Sequence, residues 1–144
     1  MEDLLYVIPA NSTKEDVLKS LKAHPEIKFV SLVGVDMAGN DTDEKIPMRI
    51  FLKDIDDFYA GTAVQTDGSS VVLTGIATLN NAKVDMPIDS SVKWFVDYNM
   101  EFCDEETGKP VGTLRIPAFL IHDGKRCYGA VVRDLITGEL YAYV

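Results

Sequence analysis

The first run of apolar positions in the chain predicts a helix. Val17 and Leu21 recur at the spacing of one helical face. Ahead of them, Ser12 and Glu15 stand three residues apart in a capping-box pattern, in which each side chain accepts a hydrogen bond from the backbone N–H of the other. The apolar repeat stops before Pro25, because the residue that precedes a proline disfavours helical backbone angles. We therefore predict a helix between Ser12 and Pro25.

Apolar residues further along the chain predict a hairpin with a long tip. Residues 27–37 are rich in Val and Phe, and apolar side chains occur at both odd and even positions, as in a strand buried on both faces. Residues 38–41 (Ala-Gly-Asn-Asp) are typical of a turn. Ile46, Met48 and Ile50 alternate with other residues, which predicts the returning strand.

A short helix is predicted after this hairpin. Asp54 is placed to cap a helical turn that contains Ile55 and Phe58, and Gly61 ends it. The acidic residues of this turn indicate a solvated helix start, since helix N-termini favour negative charge.

The second half of the chain predicts another hairpin and a smaller one near its end. Residues 92–102 have the composition of a strand, residues 105–110 form a turn, and residues 114–121 return as the partner strand. Pro117 indicates an edge position or a bulge, because proline cannot donate a ladder hydrogen bond. Thr-Gly at residues 137–138 stands between two apolar runs and predicts a small hairpin.

These elements predict an α+β fold, with about five strands and one or two short helices. At 144 residues the chain has the length of one domain, and it contains no internal repeat, low-complexity segment or interdomain linker.

Charge and composition restrict the partners and the compartment. Fourteen Lys and Arg against twenty-three Asp and Glu give a net charge of −9, so we expect no nucleic-acid partner, which would need clustered cations. Residues 1–7 are acidic where a signal peptide would be basic, and residues 68–82, the longest charge-free stretch, are too polar to span a bilayer. Cys103 and Cys127 are too few for a disulfide scaffold. We expect a cytoplasmic protein without a membrane partner.

Familiar catalytic motifs are absent from the sequence. It contains neither a phosphate-binding Gly-x-x-x-x-Gly-Lys-Ser/Thr loop nor a Gly-x-Gly-x-x-Gly turn. His24 and His122 are too few for a zinc site of familiar spacing, and we interpret them as an exposed helix end and a turn residue. Trp94 is interpreted as a core residue. No segment is a self-contained active site.

One polar turn carries a more specific hypothesis. Asp67, Gly68, Ser69 and Ser70 lie between two apolar stretches. Taken alone, this pattern is typical of a turn in which the aspartate accepts hydrogen bonds from downstream amides.

At this turn the chain resembles the N-terminal β-grasp domain of glutamine synthetases. The resemblance covers roughly residues 12–126, and its segments follow the family's order. They are the first strand and turn at residues 29–40, a second strand from residue 46, a short acidic and aromatic helix at 54–61, the Asp-Gly-Ser-Ser loop at 67–70, an Asp-Met pair at 85–86, and a final strand pair at 92–125. The resemblance implies a β-grasp (ubiquitin-like) mixed sheet in a small domain over residues 1–126. Residues 127–144 are then a short C-terminal extension, either part of that domain or frayed.

The resemblance also implies an activity. Glutamine synthetase ligates ammonium to glutamate with ATP, through a γ-glutamyl phosphate, and uses Mg²⁺ or Mn²⁺. In that family the small domain of one protomer caps the catalytic barrel of a neighbouring subunit. Carried over to this chain, Asp67 is the carboxylate that binds ammonium and takes its proton in trans. Gly68, Ser69, Ser70 and Asp85 support the substrate site.

The chain also departs from the family pattern. Thr66 replaces a bulky apolar residue, and Lys83 and Val84 replace an acidic or polar residue and a serine before Asp85. The metal-binding glutamates, the ATP site and the glutamate-binding arginine of the family follow the small domain, and residues 127–144 contain none of them. We therefore expect this chain to bind no cofactor and to be inactive alone, with ATP and Mg²⁺ or Mn²⁺ belonging to a full-length, homo-oligomeric enzyme.

Three functions remain open from the sequence. The first is the small domain of a glutamine synthetase, which contributes Asp67 to a neighbouring site. The second is a stand-alone β-grasp module that binds another protein through a sheet edge. The third is a small enzyme that uses paired carboxylates, which the lack of a nearby histidine, metal ligand or cofactor motif disfavours. The first predicts an exposed apolar patch where the barrel packs. An isolated domain, a truncated product and a natural stand-alone relative are all compatible with this sequence.

Overall fold

A computed structural model describes residues 3–35, 41–67, 83–122, 125–127, 130–133 and 140–143. The elements are β1 (Val7–Ile8), α1 (Lys14–Ala23), β2 (Ile27–Val35), β3 (Asp41–Pro47), α2 (Met48–Lys53), α3 (Ile55–Ala60), β4 (Gln65–Asp67), β5 (Lys83–Asp85), β6 (Trp94–Cys103), β7 (Pro110–Pro117), β8 (Leu120–His122), β9 (Lys125–Cys127), β10 (Ala130–Arg133) and β11 (Leu140–Tyr143). None of the helices described is long and apolar enough to cross a membrane.

The main sheet has five strands in the order β1-β6-β7-β2-β3. Strand β6 is antiparallel to both β1 and β7. Strand β7 runs parallel to β2, because the N–H groups of Gly112 and Ala118 donate in the same order along the chain to the carbonyls of Glu26 and Val33, at 2.9 and 2.8 Å. The sheet is therefore mixed. Together with the short helices it confirms the predicted α+β class and agrees with a β-grasp-like arrangement.

The chain divides into two compact units. Unit 1 consists of Met1–Leu32, Lys45–Ile55 and Asp89–Pro117, and unit 2 of Val33–Glu44, Asp56–Ile88 and Ala118–Val144. Both units are built from separated stretches of chain. The division into a domain at 1–126 and an extension at 127–144 stays a prediction.

Helix α1 forms where the apolar spacing predicts it, but its cap lies one residue later. The N-cap is Thr13, whose Oγ1 accepts from the Asp16 N–H at 3.1 Å, while the Asp16 carboxylate accepts from the Thr13 N–H at 3.3 Å. The prediction that Ser12 and Glu15 form the capping box is wrong. Ser12 Oγ instead donates to the Pro9 carbonyl at 2.7 Å, so its hydroxyl serves the incoming chain rather than the helix.

The predicted strand from Ile46 to Ile50 is also wrong in its second half. Strand β3 ends at Pro47, and α2 begins at Met48. Phe51 in this helix is fully buried. The alternation at residues 46–50 competes with a helical spacing of apolar residues that continues through Phe51, and burial of the phenylalanine favours the helix.

Helix α3 and its end match the prediction. Gly61 follows Ala60 with φ +88°, in the left-handed region that terminates helices. Asp54, predicted to cap α3, is the C-cap of α2, where its N–H donates to the Ile50 carbonyl at 3.0 Å.

Strands β6 and β7 form the predicted long hairpin, but the predicted return strand at residues 114–121 has the wrong bounds: β7 covers Pro110–Pro117, and Leu120–His122 pair as β8 in another sheet. Their register shifts between Asn99 and Cys103, an irregularity of the kind that a β-bulge introduces. In the turn, the Thr107 hydroxyl donates to Asp104 Oδ2 at 2.8 Å, and Lys28 Nζ lies 3.4 Å from Asp104 Oδ1. These contacts lower the pKa of Asp104, with the Thr107 hydrogen bond as the largest cause. Pro117 is the last residue of an inner strand, so its predicted edge or bulge position is wrong.

Trp94 confirms the core prediction for unit 1. Its side chain is 2% exposed, and its indole N–H donates to the Asp89 carbonyl at 2.8 Å. The other buried apolar residues of this unit are Ile8, Val17, Leu21, Ile27, Val30, Leu32, Phe51, Ile55, Val96, Leu114 and Ile116.

Unit 2 contains a four-stranded sheet in the order β4-β5-β8-β9 and a separate two-stranded sheet. In the latter, β10 and β11 pair antiparallel from Ala130↔Tyr143 to Arg133↔Leu140. This pairing confirms the small hairpin near the end of the chain, although its turn, residues 134–139, lies outside the described residues.

Candidate functional site

The register of β4 and β5 brings two predicted site residues together. Asp67 is paired with Lys83, and Gln65 with Asp85. Directly opposed residues of an antiparallel pair share one face, and residues two apart on a strand share it too. Asp67 and Asp85 therefore occupy diagonal positions on one face, a relation that places such residues about 7–8 Å apart.

The opposite face of this strand pair is part of a core. Val84, paired with Thr66, is fully buried. Asp85 is half-buried, whereas Val84 and Met86 on either side of it are buried. A slip of the strand register by one residue would move every side chain to the opposite face, so burial of one face fixes the register. Burial of Val84 therefore fixes the register in which Asp67 and Asp85 share the other face.

Backbone contacts hold β5 on two sides. The Met86 N–H donates to the Gly61 carbonyl at 3.3 Å, and the Ile88 N–H donates to the Phe58 carbonyl at the same distance. On the other side, Asp85 pairs with Ile121 of β8. A substrate-binding carboxylate needs such support, because catalytic geometry depends on rigid elements beneath the site.

The remaining predicted site residues cannot be located. Gly68, Ser69 and Ser70 lie outside the described residues. The roles assigned to them and to Asp67 and Asp85 stay predictions.

Lys83 departs from the family pattern that the sequence resembles, and the strand register pairs it with Asp67. The sequence identified Lys83 as unusual for the family pattern, but only the strand register assigns it to the position directly across from Asp67.

Unit 1 contains a second group of titratable residues, which the sequence pattern did not predict. Glu26 is fully buried, with its Oε1 3.3 Å from His24 Nδ1 and 3.7 Å from Lys109 Nζ. Lys109 Nζ also donates to the Asp3 carbonyl at 3.0 Å. His24 is half-buried beside this carboxylate, so its interpretation as an exposed helix end is wrong. The signal available in sequence was an acidic residue next to an apolar strand, two positions after a histidine.

Side chains able to ligate a metal ion are scattered through the part of the chain that the structure describes. No group of three or more His, Cys, Asp or Glu side chains there could hold a metal ion. Cys103 is an exposed free thiol.

Three apolar side chains of β6 are exposed. Phe95 is 57% exposed, and Met100 and Phe102 are each 63% exposed. Large exposed apolar side chains are typical of surfaces that another protein covers when they form a contiguous patch.

Comparison with known proteins leaves the family open. No family model matches the chain. The fumarate reductase flavoprotein subunits of Helicobacter pylori strains 26695 and J99 are each 78% identical to it over 27 residues, which make up 19% of this chain and 4% of the subunit. The chain thus spans a small fraction of these curated relatives.

One solved structure, described as a complex of GmaS with ADP in conformation 1, is similar to 76% of this chain and 21% of that chain. Its TM-score is 0.44 and its sequence identity 16%. A likeness of this extent establishes neither a family nor an activity.

Proposed function

We propose that this chain acts as the small domain of a glutamine synthetase-type ligase and contributes Asp67 to an active site completed by another domain. The observation that carries the proposal is the β4–β5 register, in which Asp67 and Asp85 occupy the same face while Val84 is buried on the other. It is supported by the sequence, where both residues stand in segments that resemble the family's motifs.

The chemistry assigned to Asp67 follows from charge. A carboxylate close to ammonium stabilises the cation and brings a proton acceptor within reach of it. Loss of that proton to Asp67 exposes the nitrogen lone pair, so that ammonia can attack the carbonyl carbon of a γ-glutamyl phosphate. The amide C–N bond then forms as the C–O bond to phosphate breaks, and the second proton leaves with the phosphate. Asp85 adds negative charge on the same face, and Gly68, Ser69 and Ser70 would shape the loop that follows Asp67.

Other parts of the reaction are assigned to a partner. ATP, Mg²⁺ or Mn²⁺ and glutamate would be held by the catalytic barrel of the same or a neighbouring subunit, within a homo-oligomer. The exposed apolar side chains of β6 support a protein partner of this kind, since covering them removes apolar surface from water. We propose a cytoplasmic location for this assembly.

The test combines the 144-residue chain with a glutamine synthetase catalytic domain that lacks its own small domain. We expect the mixture to form glutamine from ammonium, and we expect Asp67→Asn to lower kcat/KM for ammonium by about 10²–10⁴, the range for loss of a general base. Asp57→Asn, which removes an exposed carboxylate from α3 and lies outside the β6 surface assigned to the partner, is the matched control and should leave the rate unchanged.

Two results would contradict this proposal in different ways. If the wild-type mixture forms glutamine and Asp67→Asn has no effect, Asp67 does not have the assigned role. If the wild-type chain neither binds the catalytic domain nor restores activity, the ligase function itself is wrong.

A second candidate function is a stand-alone module that binds another protein by adding a strand to its sheet. Among the described residues, strand β1 pairs with β6 at Trp94 and Phe95, and the Val96 N–H donates to the Tyr6 carbonyl at 2.9 Å. Within the described residues, no further strand pairs with the β1 side of β6 beyond that point, where Met100 and Phe102 are exposed. This function predicts specific binding of an extended peptide that Asp67→Asn leaves unchanged.

A further inference from the structure

A groove in unit 1 has properties that the proposed function does not use. It lies between the C-terminal end of α1, the start of β2 and helix α2, with a volume of about 440 Å³. Leu21 and Ile27 form its buried apolar floor, and Met48 and Leu52 line it from α2. All of these residues belong to the same compact unit.

Three cations surround this apolar floor. Lys22, Lys28 and Arg49 line the groove, and no acidic residue does so among the described residues. In a chain of net charge −9, such a group of cations stands out against the average surface. Lys28 is close to Asp104, whereas no ion pair of Lys22 or Arg49 occurs within the described part of the chain.

The shape of the groove favours a polypeptide over a small ligand. Small-ligand sites enclose most of the ligand's surface. Here Leu52 is 36% exposed and Arg49 and Lys22 are exposed, so the contact surface extends onto the outside of the molecule. An amphipathic helix has the matching form, because its apolar stripe fills a groove between helices while its flanks reach the rim.

We infer that this groove binds an acidic amphipathic helix of a protein partner. Apolar side chains of that helix at i, i+3 and i+4 contact Leu21, Met48 and Leu52. Its glutamates or aspartates lie beside Lys22, Lys28 and Arg49, where opposite charges steer association and fix the orientation of the helix.

The test uses a synthetic helical peptide of about 18 residues, long enough for about 27 Å of helix, with leucine on one face and glutamate elsewhere. Binding is measured by fluorescence anisotropy of the labelled peptide, and by amide shifts in NMR spectra of the full 144-residue chain. We expect shifts concentrated at residues 21–28 and 47–52, and weaker binding as salt rises. A peptide with lysine in place of glutamate is expected not to bind.

Charge reversal in the groove provides the decisive variant. Arg49→Glu is expected to raise the peptide Kd at least about tenfold, because like charges then oppose each other. Lys19→Glu is the matched control: Lys19 is also exposed and lies on α1, one turn before Lys22, but does not line the groove. It should change Kd by less than about twofold. Leu52→Ser, at a position that is 36% exposed, should also weaken binding.

Three outcomes would overturn this inference. Equal effects of Arg49→Glu and Lys19→Glu would show unspecific attraction to the acidic peptide. Amide shifts that fall outside the groove would assign the peptide to another surface. Concentration-dependent sedimentation of the chain that Leu52→Ser abolishes would show that a second copy of the chain, and not a foreign helix, occupies the groove.

Discussion

Gly61 supports β5 because it allows a close approach that no other residue permits. Its φ of +88° is unfavourable for residues with a Cβ, and an added Cβ would lie 2.8 Å from Pro87 Cδ. Its carbonyl accepts from the Met86 N–H, next to Asp85. Gly61 thus ends helix α3 and also holds the backbone next to Asp85 through this hydrogen bond.

This geometry predicts the cost of a methyl group. We expect Gly61→Ala to lower the free energy of unfolding by about 2–4 kcal/mol, the sum of left-handed strain and overpacking. Gly108→Ala is the matched control, because Gly108 also has a positive φ of +71° but nothing within 4 Å of an added Cβ. It should cost about 1–2 kcal/mol. Similar losses for both variants in urea unfolding would show that Pro87 moves aside.

Tyr98 is a residue whose ionisation is coupled to the fold. Its hydroxyl donates to the Leu5 carbonyl at 2.9 Å and accepts from the Leu5 N–H at 3.1 Å. Burial, the largest cause, raises the pKa of Tyr98 from 10.0 to about 12. The folded state therefore favours the neutral phenol, and this stabilisation is complete below pH 10 and is lost as the pH rises from 10 towards 12.

The corresponding experiment compares alkaline stability. Between pH 9 and 11.5 the urea midpoint of the wild-type chain should fall more steeply than that of Tyr98→Phe, which has no proton to lose. Tyr6→Phe is the comparison variant, since Tyr6 is exposed, contacts the Tyr98 ring edge-on at a centroid distance of 5.7 Å and is only a minor cause of the raised pKa. Its pH profile should stay closer to that of the wild type than the profile of Tyr98→Phe. Parallel pH profiles for wild type and Tyr98→Phe would contradict the raised pKa.

At the scale of elements, α1 shows how two capping signals compete within one sequence. Ser12 with Glu15 and Thr13 with Asp16 both fit the pattern of a hydroxyl followed three residues later by an acid. The observed box uses Thr13, while Ser12 binds the Pro9 carbonyl. The start of the helix thus depends on contacts with the preceding residues, such as Pro9, and the spacing of hydroxyl and acidic residues alone does not show these contacts.

The two alternative capping boxes, Ser12 with Glu15 and Thr13 with Asp16, predict different mutational effects. Thr13→Ala should lower the unfolding free energy by about 1 kcal/mol, the usual cost of losing an N-cap side chain. Ser12→Ala should cost less than half of that, because its hydroxyl donates to a single exposed carbonyl. Thermal and urea unfolding of both variants decide this point, and a larger loss for Ser12→Ala would favour the box predicted from sequence.

Other elements show the same division between local and distant causes. The hairpin of β6 and β7 was predicted from strand composition and a polar turn, both of which act locally. The change from β3 to α2 at Met48 was missed because alternation over three apolar residues does not distinguish a strand from the start of a short helix. Burial of Phe51 resolves that ambiguity, and burial depends on contacts distant in sequence.

For the molecule as a whole, the candidate site joins segments that only folding brings together. Asp67 and Asp85 were singled out by motif resemblance, at positions separated by 17 residues, of which residues 68–82 lie outside the described part. Their common face follows from pairing of β4 with β5. The groove that carries the helix-binding inference likewise combines α1, β2 and α2.

The sequence by itself determined the α+β class, α1, the hairpins of β6 with β7 and of β10 with β11, and the core position of Trp94. Apolar periodicity and turn residues suffice for these features because they act over a few positions. Tertiary structure alone decided that Lys83 lies opposite Asp67, that Glu26 is buried beside His24, and that three cations surround one apolar groove. The physical reason is that strand register and side-chain burial depend on contacts between distant residues, and a single sequence does not show those contacts.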